Sequence, residues 1–351
     1  MSNELGKISR EFFTEHVLRR TGSDRKEVIV APRNGVDTGI VDIGGGKVMV
    51  LTTDPIFIDI NLGMKKAAWF AFHIIASDLC TSGIPPQYLT VDYNLPPEIT
   101  DDQIDEMLST IDSECRTYGI SVVTGHTARY AGVSFPMVGG ATMIGIGDRD
   151  MYITSEMSRP GDRIIVTKSI ALEAAVLLAH AFPDYTDRTI GQETASAIRN
   201  RFYEMSTVRE AMISMDFGLR DSGVTSMHDV TEGGLAGALY EIAEASGNGL
   251  VAYENRFPIY REIADLCAAY GIDPTKSISE GTLLLTVRPE RSEAFIAKLK
   301  ENGIQAADVG EILPGSSGTF IVDAEGKKKR PEQVKDEFWK AIASGIERGL
   351  K

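Results

Sequence analysis

Apolar residues recur along this chain in two rhythms. Runs with every second residue apolar predict strands, and runs with apolar residues three and four apart predict helices. Glu11 to Arg20 reads as a short amphipathic helix. Glu27–Ala31, Val36–Ile43 and Lys47–Thr53 read as strands joined by glycine turns, notably Gly44-Gly45-Gly46. Met64 to Cys80 is a long apolar helix that stops at Thr81-Ser82-Gly83. Tyr88–Tyr93 is a strand, Asp101–Tyr118 a helix opened by Thr100 as N-cap, and Ser121–Thr124 a strand. Met137–Gly147 is a further strand, interrupted at Gly139-Gly140.

Arg159-Pro160-Gly161-Asp162 is a turn, and the pattern restarts after it. Arg163–Thr167 reads as a strand and Ala171–Ala181 as a helix, followed by helices at 190–200 and 206–218. Strands are expected at 249–253, 282–288, 306–313 and 318–323, with helices at 259–270 and 290–302 between them. Lys327-Lys328-Lys329-Arg330 reads as a solvated turn. Strands and helices mix without strict strand–helix–strand repetition, so the expected class is α+β with two domains, residues 1–155 and 156–351. There is no 20–50-residue repeat.

Composition narrows the function. With 36 basic and 50 acidic residues the net charge is −14, which argues against nucleic acid and an anionic membrane surface as partners. No run reaches the roughly 18 apolar residues of a membrane span, and the N-terminal residues lack the apolar core of a signal peptide. The three cysteines, Cys80, Cys115 and Cys267, are far apart and form no CxxC pair, so neither a disulfide framework nor a zinc site is expected. A cytoplasmic protein with reduced thiols is the simple reading.

The densest candidate chemistry lies at residues 227–242. Val224–Met227 reads as the end of a strand, His228, Asp229, Thr231 and Glu232 follow, and Gly233-Gly234 opens a helix with apolar residues at Leu235, Leu239 and Ile242. Free N–H groups at a helix N-terminus favour an anion, and glycines let the backbone approach it. An ordinary strand–helix turn capped by Thr or Asp fits the same residues. Asp37, Asp54 and Asp78 stand at strand and helix ends beside Thr and Ser, and Pro55 holds Asp54 extended. Such oxygen donors suit a Mg²⁺–nucleotide site, and each also suits a turn. His126, after a strand and Gly125, is either an acid–base group or structural. Lys168 is either a phosphate contact or an ordinary strand-end lysine.

In order, the chain carries Gly-x-Asp (37), Thr-Thr-Asp (54), Ser-Asp-Leu-x-x-x-Gly-x-x-Pro (from Ser77), Thr-Gly-x-Thr (from Thr124) and His-Asp-Val-Thr-x-Gly-Gly-Leu (from His228). This order resembles the aminoimidazole-ribonucleotide synthetase superfamily over nearly the whole chain. His228–Ile242, Gly271–Pro274 and Ser279–Leu284 most resemble its hydrogenase maturation branch, HypE. The resemblance implies an N-terminal sheet that pairs with a second subunit into a barrel, a C-terminal α+β domain, and ATP and Mg²⁺ in a cleft between domains. It implies phosphorylation of an oxygen on a small-molecule or protein-borne substrate, with a homodimer and a maturation partner protein as partners.

By position, the resemblance places Mg²⁺ on Asp37, Asp54 and Asp78. It places the nucleotide also on Thr53, Thr124, Gly125, His228, Thr231, Gly233 and Gly234, and the chemistry on Asp229, His126 and Lys168. Two departures stand out. His126 replaces an acid of the relatives, so one metal carboxylate is missing. No cysteine follows Cys267, whereas HypE uses a terminal cysteine to carry a carbamoyl group, so thiocyanate formation is not expected. A nucleotide-binding partner without chemistry, and a small-molecule kinase like thiamine-monophosphate kinase, are the alternatives.

Overall fold

The computed structural model describes residues 6–331 and 334–351. They form two compact units. The first comprises Arg25–Ala31 and Asp37–Tyr152; the second comprises Pro32–Val36, Ile153–Lys351 and the N-terminal residues through Asp24. The α+β class holds, with one mixed sheet in each unit. No described helix is long and apolar enough to cross a membrane.

The N-terminal segment of the second unit contains a helical turn, α1 (Arg10–Phe12), that runs on as a π-helical stretch, Phe13–Val17, where a regular helix was expected to Arg20. In the first unit six strands are ordered β1-β2-β3-β6-β4-β5: β1 (Val28–Val30), β2 (Gly39–Gly44), β3 (Lys47–Phe57), β4 (Tyr88–Leu95), β5 (Ser121–Arg129) and β6 (Met137–Asp148). All pairs are antiparallel except β4 with β5. Helices α2 (Met64–Thr81) and α3 (Asp101–Tyr118) pack on each other, and α2 lies on β3 and β6. α3 begins where predicted, with Thr100 and Gln103 forming a reciprocal capping box.

Alternation along β3 buries Val48, Val50, Thr52 and Ile56, while Met49, Leu51 and Thr53 stay partly or fully exposed. Their cross-strand partners Ile146, Ile144 and Thr142 are likewise half-open. One face of the sheet is therefore sealed and the other carries apolar residues in a half-exposed state.

Three expectations change. β3 does not stop at Thr53; it passes through Pro55 to Phe57. This is possible because β2 pairs with β3 only up to Leu51, so the missing N–H of Pro55 faces no partner strand. β2 starts at Gly39, which leaves Asp37 in the preceding loop. β5 continues to Arg129, so Thr124, Gly125 and His126 belong to a strand rather than to a loop after it.

The second unit holds a seven-stranded sheet ordered β13-β12-β9-β11-β7-β10-β8. Its strands are β7 (Arg163–Thr167), β8 (Val224–Asp229), β9 (Gly249–Tyr253), β10 (Leu283–Val287), β11 (Ala306–Leu313), β12 (Thr319–Val322) and β13 (Lys328–Lys329). The last is an exposed two-residue strand in place of the expected lysine turn. The helices are α4 (Leu172–Ala181), α5 (Pro183–Ile190), α6 (Gln192–Asn200), α7 (Val208–Phe217), α8 (Gly234–Ser246), α9 (Arg261–Tyr270), α10 (Ser292–Glu301) and α11 (Glu337–Glu347). α5 was not anticipated. Pro183 at its first position signals the start, but the helix has only 8 residues and is polar on average, so its apolar stripe covers few positions. The core under α8 packs Leu235, Leu239 and Ile242 against Ile164, Val166, Leu250 and Leu284.

Candidate functional site

In the second unit the 227–242 motif folds as strand, turn and helix. β8 is the outermost strand of its sheet, yet all six of its residues are buried. His228 and Asp229 end it opposite Leu284 and Leu283 of β10. His228 is 4% exposed and Asp229 1%. His228 Nε2 lies 2.9 Å from Glu241 Oε2, about two turns into α8. Burial raises the Glu241 carboxyl, but the hydrogen bond and charge of His228, helped by Lys7, more than offset this, and the net shift is downward. The helix is capped by Gly233 in the left-handed region, φ 85°, and not by Thr231 or Asp229. Gly234 is required for a second reason. A Cβ there would sit 2.8 Å from backbone atoms of Thr275 and Ser277. The close approach that the glycines permit is made by the chain itself.

Three acidic groups not singled out from the sequence surround this turn. Asp336, the N-cap of α11, accepts from Gly233 N–H at 2.7 Å and from Phe338 N–H at 2.8 Å. Burial pushes its carboxyl up to about 6, against the N–H groups of Gly233, Phe338 and Ile278, and Glu232 adds repulsion. Glu173, on α4, accepts from Glu280 N–H at 3.0 Å. Burial pushes Glu173 up to about 8; the Glu280 N–H opposes this, and the charges of Asp336, Glu232 and Asp229 add to it. Glu280 is 1% exposed. Each left a signal: Glu173 is the only acid in an apolar helical run, Asp336 precedes Glu337-Phe338-Trp339 as a cap would, and Glu280 lies in Ser279–Leu284. Thr231 and Glu232 are tied down as well. Lys7 Nζ lies 3.3 Å from Thr231 Oγ1, and Glu232 accepts from Lys7 N–H at 2.7 Å and Trp339 Nε1 at 2.8 Å.

Lys168 stands at the end of β7 with φ 54°, and Ala171 before α4 has φ 56°. Side chains rarely adopt this backbone, and two such residues in four mark a strained connection. The lysine is 7% exposed. Its ammonium donates to Glu204 O at 2.9 Å and Ser206 O at 2.6 Å and pairs with Glu210 Oε1 at 2.6 Å. These three acceptors use its three hydrogens. Lys168 therefore clamps the 204–210 segment, and the structure does not present it as an open phosphate contact. Lys168→Met would strand the Glu210 carboxylate, which is 1% exposed. We expect a loss of about 3 kcal/mol in urea unfolding; a loss under 1 kcal/mol would contradict the clamp.

In the first unit the predicted residues divide between the two faces of one sheet. Asp78, on α2, accepts from Thr52 Oγ1 at 3.0 Å. Asp54 shares that face of β3 with Thr52 by alternation. Thr53 points the other way, and its hydroxyl lies 2.8 Å from that of Thr142. The register continues from Thr142 to Thr90 and from Thr90 to Thr124, giving a row of four threonines across β3, β6, β4 and β5. His126, paired in register with Asp92, falls on this same open face, with Nε2 2.8 Å from Tyr130 Oη. His126 is thus not brought together with Asp54 and Asp78. Gly125 lies under Val91, whose carbonyl oxygen would be 2.6 Å from any Cβ, so the glycine serves strand pairing.

The chain is 26% identical over 294 residues to the carbamoyl dehydratase HypE of Rhizobium leguminosarum bv. viciae, covering 80% of this chain and 78% of that one. Among solved structures it resembles the hydrogenase maturation protein HypE in complex with ATP, with a TM-score of 0.61 and 21% identity over 96% of this chain and 97% of that one. It also resembles AaThiL complexed with AMPPCP and TMP, with a TM-score of 0.69 and 19% identity over 94% and 98%. The AIR synthase related protein N-terminal domain matches residues 35–146, and the C-terminal domain matches residues 159–323. With both domains present in order and both sheets folded, the chain belongs to the AIR synthase related protein family.

Proposed function

We propose that this protein is an ATP- and Mg²⁺-dependent enzyme that phosphorylates an oxygen of a small-molecule or protein-borne substrate. The observation that carries the proposal is the delivery of buried His228 and Asp229 by β8 to the N-terminus of α8. Fold relatives solved with ATP or AMPPCP support the choice of nucleotide. In the second unit the helix N-terminus and its dipole would hold phosphate, with Thr231 offering a hydroxyl and Gly233 and Gly234 a backbone free of side chains. Glu241 fixes the orientation of the His228 ring.

In the first unit Asp54 and Asp78 share one face of β3 with the Thr52 hydroxyl, and Asp37 is half-buried in the loop before β2. These are hard oxygen donors, the set that Mg²⁺ takes. When bound, the ion would supply charge neutralisation on the phosphates. The acceptor oxygen attacks the γ-phosphorus and the bond to the bridging oxygen breaks, releasing ADP.

The acceptor is not one of this chain's cysteines. Cys80 and Cys267 are buried, and burial pushes both thiols up to about 12. Cys115 is pushed up to about 11 by burial and by the charges of Asp112 and Glu114. None is a thiolate at neutral pH. An oxygen carried on one of these three thiols is therefore not the acceptor. The structural likeness to AaThiL, whose structure holds TMP beside AMPPCP, favours a small-molecule acceptor as a second form of the reading. Incubating the protein with ATP, Mg²⁺ and panels of amide-, carbamoyl- and phosphate-bearing acceptors tests the proposal. Acceptor-dependent formation of ADP supports it. ATP binding with no ADP formed under single-turnover conditions would make the chain a non-catalytic nucleotide-binding partner.

The open face of the first unit supports a homodimer. β5 is a nine-residue edge strand with Val122 and Val123 each 55% exposed, and the open face of the same sheet carries half-exposed Met49, Leu51, Ile144 and Ile146. Such an edge invites pairing with a second copy. Thr53, Thr124 and His126 lie on that face and are assigned to the subunit contact. Sedimentation at micromolar concentration should show a dimer. Val122→Glu with Val123→Glu should raise its dissociation constant about 100-fold; a dimer unaffected by both changes would place the contact elsewhere.

A further inference from the structure

The N-terminus of α8, which the proposed function assigns to phosphate, already carries an anion from the chain itself. Gly233 N–H, at the cap of the helix, donates to Asp336 Oδ2 at 2.7 Å, while Asp336 Oδ1 accepts from Phe338 N–H at 2.8 Å. A third N–H, that of Ile278, reaches the same carboxylate. The next residues extend the attachment. Glu337 Oε2 accepts from Asp273 N–H at 2.6 Å, and Trp339 Nε1 donates to Glu232 Oε1 at 2.8 Å. Glu232 is the residue immediately before the cap, so α11 holds both the Gly233 N–H and the side chain that precedes it.

We propose that Asp336 is an internal occupant of the phosphate position, and that α11 is an autoinhibitory strap which a nucleotide must displace. This rests on the reading of α8 as the phosphate-holding helix. A carboxylate at a helix N-terminus satisfies the same N–H groups and dipole that a phosphate would, so the two compete for one place. Release is made easier by the surroundings of the carboxylate: the charge of Glu232 repels it, and burial raises its affinity for a proton. A dianionic phosphate has more charge to place on the same donors. Displacement also breaks the Trp339–Glu232 hydrogen bond, because Trp339 lies on the first turn of the helix that Asp336 caps.

The test uses the full chain with Trp69→Phe, which leaves Trp339 as the sole tryptophan. Titration with AMPPCP and Mg²⁺ should move the Trp339 emission to the red, saturating at the same concentration as the calorimetric isotherm. Asp336→Asn keeps an acceptor oxygen for folding but removes the competing charge, and it should bind AMPPCP about fivefold tighter. Binding by calorimetry with Trp339 emission unmoved would overturn the strap. So would unchanged or weaker AMPPCP binding by Asp336→Asn, which would make the carboxylate a spectator or a ligand of the nucleotide complex. No binding of AMPPCP by either form would overturn the ATP reading itself, and the strap with it.

Discussion

Asp229→Asn and Asp78→Asn are each expected to lower Mg²⁺-dependent ADP formation from ATP about 100-fold or more while leaving the fold intact. Asn matches Asp in shape, so the register of Asp229 with Leu283 on β10 is kept, and a side-chain amide at position 78 can still accept from Thr52 Oγ1. What is lost is negative charge. At position 78 this removes an oxygen donor fit for Mg²⁺, and at position 229 it removes a buried carboxylate at the mouth of α8. Thr52→Val removes only the partner of Asp78 and should cost about tenfold, through misplacement of the carboxylate. ADP formation measured with a coupled assay at saturating acceptor decides the matter. Turnover unchanged in Asp78→Asn and Asp229→Asn would contradict both assignments.

The second large effect concerns stability. Glu173 holds its proton up to about pH 8 in the folded protein, against an ordinary value of 4.5. Between these values the folded state binds a proton that the unfolded state has lost, so stability falls as pH rises through that window. Asp336 acts in the same direction over a narrower window, up to about 6. The carboxyls held low, such as Glu241, Asp273 and Glu262, act in the opposite sense, below their ordinary values, and contribute little slope above pH 5. The urea midpoint should therefore decline from pH 5 to pH 8.5. Glu173→Gln keeps an acceptor for the Glu280 N–H and removes the titration. It should flatten most of the decline and stabilise the protein by a few kcal/mol, on the order of 3, at pH 8.5. Parallel pH profiles for the two proteins, or a midpoint that rises with pH, would contradict the assignment.

Much of the architecture was legible in the residues because it is set by local periodicity. The N-cap at Thr100, the strand 163–167 and the strand–glycine–helix motif at 227–242 all appear where pattern and turn chemistry place them. What periodicity misses is long-range. Pro55 reads as a strand end until the register shows that β2 has already stopped pairing. Gly125 reads as a loop glycine until the Val91 carbonyl is found above it.

The candidate site followed the same division. His228, Asp229 and Asp78 were readable as candidates from their neighbours in sequence. That Lys168 spends its hydrogens on Glu204, Ser206 and Glu210 was not, because those partners lie about forty residues away. The same holds for Asp336, whose bond to Gly233 spans 103 residues. Thr53 and Asp54 are adjacent in sequence yet face opposite sides of the sheet, a consequence of the two-residue strand period that separates them functionally.

The chain is expected to bind ATP with Mg²⁺ at these residues and to transfer its γ-phosphate. Calorimetric titration of AMPPCP into the wild-type protein, with Mg²⁺ and with chelator, measures that binding. Saturable binding is expected, with a dissociation constant on the order of 10 μM, lost on chelation and weakened at least about tenfold in Asp78→Asn and Asp229→Asn. Absence of saturable binding, or binding indifferent to Mg²⁺ and to both substitutions, would contradict it.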